Sequence, residues 1–431
     1  MRVLLVNTSE HTGGAAIAAS RLMKALHSQG VEAEMLVNKR ESENPKVHAL
    51  PGKLLQKIRF VAERLGIVWA NRGSRKNLFA IDPATRGADI TRLPQFQQAD
   101  IVHLHWFNQG MLSLGDMQKI LQSGKPVVWT MHDMWPVTGV CHQAGACERW
   151  QTGCGHCPLL RGGGGAKDLS TKTYERKRKA YGTAPITFVA CSDWLADIAR
   201  RAPLLKGRPV HSIPNPIDTN FFVSQDKVKA RQALGLPLDK KILLFVAYKA
   251  TDPNKGIQYL RQALEQLYHS DGAWTEQLAV VPVGKEASTL QGTFPCALFP
   301  QEYVNSEETM RRLYDAADVL LMPTLMDNLP NTVVEAMACS MPCVAFNVGG
   351  LPQMITPGVD GYLARYKDAS DLAEGIKAVL SSPNYPEMAK AAREKAVSTY
   401  SETAVAQRFI ALYEDLLSPQ SEAEELVQSV F

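Results

Sequence analysis

Two carboxylates eight residues apart, Asp327 and Glu335, stand on either side of an expected helix start. Asp327 lies in the loop Thr324 to Leu329, after the apolar strand Asp318 to Met322. Pro330 then opens a helical pattern, and proline suits a first helical turn. The free N–H groups near Asn331 and Thr332 point out of that turn and favour an anion such as a diphosphate. Asn328 and Leu329, in the same loop, join the expected ligand-binding set. Glu335 sits just over one turn inside the helix. Two acids so placed can accept hydrogen bonds from hydroxyls at the two ends of one bound molecule. A nucleotide sugar has such ends, a hexose and a ribose.

The surrounding elements give this stretch its place. Met341-Pro342 stops the helix, Cys343 to Phe346 reads as the next buried strand, and Gly349-Gly350 closes it with a tight turn. The order strand, loop, helix, strand puts the loop at the carboxyl end of a parallel strand, where open α/β sheets bind ligands.

The wording MDNLPNTVVEAMAC, an acid then Glu eight residues on, with Gly-Gly-x-Pro beyond, resembles the signature of the retaining GT-B glycosyltransferases of family 4. It is close to the subgroup of bacterial exopolysaccharide and O-antigen clusters. Two departures are present. Asp327 stands where the family has Glu, and Leu329-Pro330-Asn331 stands where it has Gly. The resemblance covers nearly the whole chain and is densest from Lys241 to Leu363. It implies transfer of a hexosyl unit from a nucleoside-diphosphate sugar to a glycan or lipid-linked acceptor, without nucleic acid as a partner.

Length alone leads to an expectation of two or three domains. The 431 residues are 45% apolar with a net charge of +4, too small to imply nucleic acid. No apolar run approaches the roughly 20 residues of a membrane span. The start, Met1 to Val6, is too short to read as a signal peptide. The expected location is therefore cytoplasmic, with peripheral contact at the inner membrane face left open. Eight cysteines in such a chain argue for thiols or metal over disulfides.

In the N-terminal half, the strand Arg2 to Asn7 leads into Gly13-Gly14 and a helix from Ile17 to Gln29. Such a turn lets backbone approach a phosphate or an acceptor closely, or simply packs tightly; the resemblance assigns Gly13 and Gly14 to the donor side. Between Lys53 and Lys76 lie seven Lys or Arg and one acid, Glu63, interleaved with apolar residues at helical spacing. Two readings stand: a basic amphipathic surface for anionic lipid, or a solvated helix docked on the sheet. The strand Ala99 to Trp106 ends in His105, Trp106 and, just beyond, Asn108, which line an acceptor pocket or pack. The strand Val127 to Asp133 ends in His132, which the resemblance places against the donor sugar.

Cys141, Cys147, Cys154 and Cys157 follow within seventeen residues, the last two as a Cys-x2-Cys knuckle. Four thiolates so spaced could close a structural zinc site; disulfides and reduced thiols are the alternatives. No catalytic cofactor is expected. Gly162 to Gly165 reads as a hinge or lid, and Arg176 to Lys179 as the solvated face of a helix.

In the C-terminal half, Lys255-Gly256 matches the family's diphosphate-binding Lys-Gly. The family's Arg is missing, and Lys249 stands near its place with different spacing. Lysine offers a point charge without arginine's fork.

The expected architecture is α/β: two doubly wound Rossmann-like domains facing a cleft, the GT-B arrangement. Residues 1–205 would form the acceptor domain, with a Cys-rich insertion near 139–165. Residues 206–399 would form the nucleotide-sugar domain, and 400–431 a helix crossing back with an acidic, frayed tail. Two other functions share these residues. A nucleotide-sugar epimerase or hydrolase would act without an acceptor, and a non-catalytic scaffold of a polysaccharide assembly complex would turn over no donor.

Overall fold

The computed structural model describes residues 1–418. The tail expected beyond Pro419 lies outside the described residues. The chain divides into two compact units. The first comprises Met1–Cys191 and Ala196–Ile213, joined by the chain from Val405. The second comprises Ser192–Leu195 and Pro214–Ala404.

The first unit holds β1 (Arg2–Val6), β2 (Glu32–Val37), β3 (Val47–Ala49), β4 (Ile101–Leu104), β5 (Val127–Met131), β6 (Ile186–Ala190) and β7 (Val210–Ser212). They form one parallel sheet in the order β3-β2-β1-β4-β5-β6-β7. The second unit holds β8 (Lys241–Lys249), β9 (Leu278–Lys285), β10 (Ala297–Leu298), β11 (Val319–Met322), β12 (Cys343–Phe346) and β13 (Gly361–Ala364), in the parallel order β10-β9-β8-β11-β12-β13. The unbroken apolar runs of β4, β5, β6, β11 and β12 are buried at every position. That is the pattern of strands covered by helices on both faces.

Each sheet reverses its strand order once, between β1 and β4 in the first and between β8 and β11 in the second. Loops leaving two such neighbouring strands diverge and open a crevice at the carboxyl end of the sheet. Gly13, His105, Trp106, Asn108, Lys255, Asp327 and Asn328 sit on those loops, while Asn331, Thr332 and Glu335 lie in the helix that follows and His132 after β5.

Three expectations need correction. Apart from the short excursion Ser192–Leu195, the chain passes to the second unit at Ile213/Pro214, not 205/206, because β7 pairs with β6 in the first sheet. The return falls at Ala404/Val405, inside the helix Glu402–Leu417, not at 399/400. From there Val405, Ala406, Phe409, Leu412 and Tyr413 join the first unit's core. Pro330 is the N-cap in extended backbone, and the helix runs Asn331–Ala338.

The helix Lys53–Ala70 buries two charges beside Ile67 and exposes most of its apolar residues. Its charged residues Glu63 and Arg64 are buried, Glu63 accepting the Thr85 N–H and Arg64 donating to Asp82 Oδ2 at 2.6 Å. Its apolar residues Leu54, Ile58, Val61, Leu65 and Trp69 are exposed, Trp69 to 85%.

Candidate active site

The second unit's switch point is built by two short loops. After β8 the chain turns through Pro253–Lys255 to Gly256, whose φ of +76° starts the helix Ile257–Ser270. A Cβ on Gly256 would lie 1.8 Å from the Pro323 carbonyl oxygen, so only glycine lets the two loops meet. The loops are then joined by the Leu325 N–H, which donates to Asn254 O at 2.8 Å. This contact brings Lys255 to the acid loop, and its Nζ lies 2.6 Å from Asp327 Oδ2. Thr324 Oγ1 is 3.3 Å from the same carboxylate oxygen.

Asp327 and Asn328 are held from behind by Gly349 and Gly350. A Cβ on either would lie within 2 Å of the Asp327 or Asn328 carbonyl oxygen. The Ser192 hydroxyl donates to Asn328 Oδ1. Leu329 is buried. The helix beginning at Asn331 has no side-chain cap, which leaves its first amides for another acceptor. Asn331 Oδ1 accepts from Asn215 Nδ2 at 3.3 Å, and Thr332 is half-buried. Glu335 is 8% exposed and accepts the Tyr314 hydroxyl at 2.7 Å. Lys249 is not gathered with Lys255: its Nζ pairs with Glu286 Oε1 at 2.8 Å. Tyr314 was not singled out from the sequence, since nothing in the helix Glu307–Ala316 marks which residue faces Glu335, 21 residues later.

The first unit's switch point carries the remaining candidates. Gly13 and Gly14 begin the helix Gly14–Ser28, also without a side-chain cap. An added Cβ at either would meet nothing within 4 Å, so close packing does not account for them. Past β4, His105 and Asn108 are buried, and His105 Nδ1 lies 3.0 Å from His132 Nε2. Burial holds the rings neutral, His132 down to about 4 and His105 well below its ordinary range. His105 Nε2 and Asn108 Nδ2 are buried with no partner among the described residues. Trp106 Nε1 donates to Asp133 Oδ2 at 2.9 Å, and the same oxygen meets His142 Nδ1 at 2.7 Å. Burial raises the Asp133 carboxyl, but His142 and two N–H donors outweigh it and hold it below the usual range. His103 is structural, bridging Tyr413 OH and Thr130 Oγ1 at 2.7 Å each.

In the run Arg176–Lys179, Arg178 and Lys179 are solvent-exposed as expected, and Lys177 is not. Lys177 is fully buried, with Nζ donating to Trp135 O and to Thr138 O at 3.0 Å. It lies on the inward stripe Ser170, Thr173, Tyr174, Lys177, Tyr181 of the helix Leu169–Tyr181. Cys141, Cys147, Cys154 and Cys157 are all free thiols. Among the described residues, no three His, Cys, Asp or Glu side chains are placed to hold a metal ion.

Two doubly wound parallel units, each with polar residues at its switch point, define the GT-B fold. Comparison with known proteins gives the family. Residues 12–221 match the glycosyltransferase family 4 model, and residues 240–382 match that for glycosyl transferases group 1. The chain belongs to the group 1 glycosyltransferases of family 4. D-inositol 3-phosphate glycosyltransferase 1 of Catenulispora acidiphila is 32% identical over 185 residues, 40% of this chain and 44% of that relative. The match therefore spans under half of that relative's length. Sucrose-phosphate synthase from Thermosynechococcus elongatus superposes with a TM-score of 0.65 at 19% identity, covering 96% of this chain and 98% of that one. Anabaena HepE in complex with UDP-glucose gives 0.60 at 16% identity, covering 96% and 100%.

Proposed function

We propose that the protein is a retaining glycosyltransferase, moving a hexosyl unit from a nucleoside-diphosphate sugar to a glycan or lipid-linked acceptor in cell-surface polysaccharide synthesis. One observation carries the reading: Lys255 and Asp327 meet in front of an uncapped helix start at the second sheet's switch point. A cation and free amides suit a diphosphate, and a carboxylate suits a sugar hydroxyl. The UDP-glucose bound by HepE, of the same fold, supports a donor of this class.

In this reading Lys255 and the amides of Asn331 and Thr332 stabilise charge on the departing diphosphate, a preorganised electrostatic contribution. Glu335 holds the ribose and Asp327 a sugar hydroxyl. Lys249 is a peripheral contact at most, since Glu286 already neutralises it. Neutral His132 serves as a hydrogen-bonding group for the sugar, and Gly13 and Gly14 as backbone on the donor side. His105, Trp106 and Asn108 serve the acceptor, and the unused Nε2 and Nδ2 atoms are what a hydroxylated ligand would engage. No carboxylate is assigned as nucleophile, so the acceptor attacks on the face from which the diphosphate departs. No catalytic cofactor is assigned. NMR of the product decides the stereochemistry: an α donor gives an α linkage, and a β linkage would overturn retention.

A second acceptor class is favoured by the uncapped helix start at Gly14. It would suit the phosphate of a phosphorylated polyol or sugar, the kind of compound named in the inositol and sucrose relatives. Parallel assays with sugar phosphates and lipid-linked glycans separate the two.

Peripheral contact with the inner face of the cytoplasmic membrane belongs to the lipid-linked reading. On the helix Lys53–Ala70, a step of about 100° per residue gathers Leu54, Ile58, Val61, Leu65 and Trp69 into a stripe about 80° wide. Lys53, Lys57, Arg72, Arg75 and Lys76 are exposed around it. An apolar stripe edged with cations fits an anionic bilayer surface. Among the described residues, no helix is long and apolar enough to cross a membrane. Co-sedimentation with phosphatidylglycerol vesicles is expected for the wild type and lost in Leu65→Glu/Trp69→Glu. Equal pelleting of both would remove this helix from the membrane.

A further inference from the structure

The segment from Thr138 to Asp168 poses a folding problem. Its regular structure consists of two three-residue helical turns, Arg149–Gln151 and Arg161–Gly163. Its local core is Ile67, Ile81, Val140, Cys157 and Leu160, with Leu78, Cys141, Leu159 and Leu169 packed against it. So small a core rarely orders a long loop without a disulfide or a metal, and none of the cysteines is in a disulfide.

Its four thiols share one place. Cys141, Cys147, Cys154 and Cys157 all line a single pocket. Each lies within electrostatic reach of at least two of the others. The knuckle between the last two is held in unusual backbone. Cys154, Gly155 and His156 have φ of +64°, +99° and +46° in succession. Left-handed backbone is disfavoured for Cys and His, and such strain persists where it serves a site. A backbone N–H group already points at one of the sulfurs. Gly139 N lies 3.1 Å from Cys154 Sγ. Amide donors of this kind support thiolate ligands.

A separate feature is the charge of Lys177. Its ammonium is fully buried, 3.4 Å from the centre of the Trp135 ring, and within electrostatic reach of the pocket thiols Cys141 and Cys154 as well as of Asp133 and Asp82. No carboxylate lies within ion-pairing distance among the described residues. Burial pushes the Lys177 ammonium down to about 7, and a negative charge beside it, which neutral thiols do not supply, would hold it protonated. Four thiolates around a divalent ion would carry two negative charges.

We propose that Cys141, Cys147, Cys154 and Cys157 bind one structural zinc ion, which clamps this segment onto the first unit with Lys177 as its buried counter-charge. The candidate site is empty, and its sulfurs surround a pocket without closing on a point. Binding would require the four sulfurs to move in to about 2.3 Å from the metal. Each thiol would lose its proton to solvent on binding.

The test is the metal content of the full chain, purified from zinc-supplemented medium without chelator. The expected result is one zinc per chain, lost in Cys154→Ser/Cys157→Ser. Should that variant fail to fold, cobalt uptake by the chelator-stripped wild type gives an independent readout. Tetrahedral thiolate coordination has an absorption spectrum distinct from that of octahedral oxygen ligation. Purified chain without zinc that also takes up no cobalt overturns the proposal. So does an intact mass showing a disulfide among these cysteines.

Discussion

The Lys255 ammonium lies 2.6 Å from the Asp327 carboxylate, although 72 residues separate them in the chain. The contact exists because β8 and β11 are neighbours across the switch point and Gly256 lets their loops touch. Both groups remain partly exposed, 31% and 20%. A pair so placed contributes little to stability, about 0–1 kcal/mol. Its value is positional. Asp327→Ala should leave melting nearly unchanged while lowering kcat/KM for the donor about 10- to 150-fold, the cost of one charged hydrogen bond. Wild-type kinetics for this variant would remove Asp327 from the sugar contact.

Glu335 is a different case, being buried on Tyr314. Glu335→Ala should raise KM for the donor sharply, whereas Tyr314→Phe should raise it only a few-fold because the carboxylate remains. Equal effects of the two would mean that Glu335 acts by holding Tyr314 and not by binding ribose.

Gly256 should tolerate no side chain. Gly256→Ala combines a positive φ with a clash on Pro323 O. A loss of about 1–3 kcal/mol is expected, read as a lower denaturant midpoint with an unchanged m-value. An undiminished midpoint would show that the two loops separate easily.

The histidine cluster sets a pH limit on the first unit. Burial lowers His103 to about 3 and His132 to about 4, and His105 also titrates far below its ordinary value. The unfolded chain then binds protons that the folded chain does not. Stability is fully present above about pH 6.5 and falls as pH drops from there toward 4, by at most about 1.4 kcal/mol per pH unit for each ring. Thermal melts across pH 4–7.5 should show this slope, reduced in His132→Gln. A flat profile would contradict neutral burial.

Much of this was legible in the sequence. Unbroken apolar runs marked the central strands, and the spacing of Asp327 from Glu335 set them on a loop and a helix. The burial of charge on Lys53–Ala70 was not legible: periodicity reveals a stripe, while the partners Thr85 and Asp82 decide which face turns inward. Lys177 was misread because its run looked solvated, although Tyr174 and Tyr181 at helical spacing mark its face as buried. Lys249 matched by proximity in sequence, but the irregularity between Val246 and Lys249 in β8 and its pairing with Glu286 set it apart.

Donor turnover is the most direct measurement: nucleoside diphosphate released from a panel of UDP-, GDP- and ADP-hexoses, by wild type and by Lys255→Ala. The account predicts release from one donor class by the wild type, largely lost in the variant, with both proteins melting alike. Release that persists undiminished in Lys255→Ala would contradict it, as would a wild type that neither turns over any donor nor gains thermal stability from one.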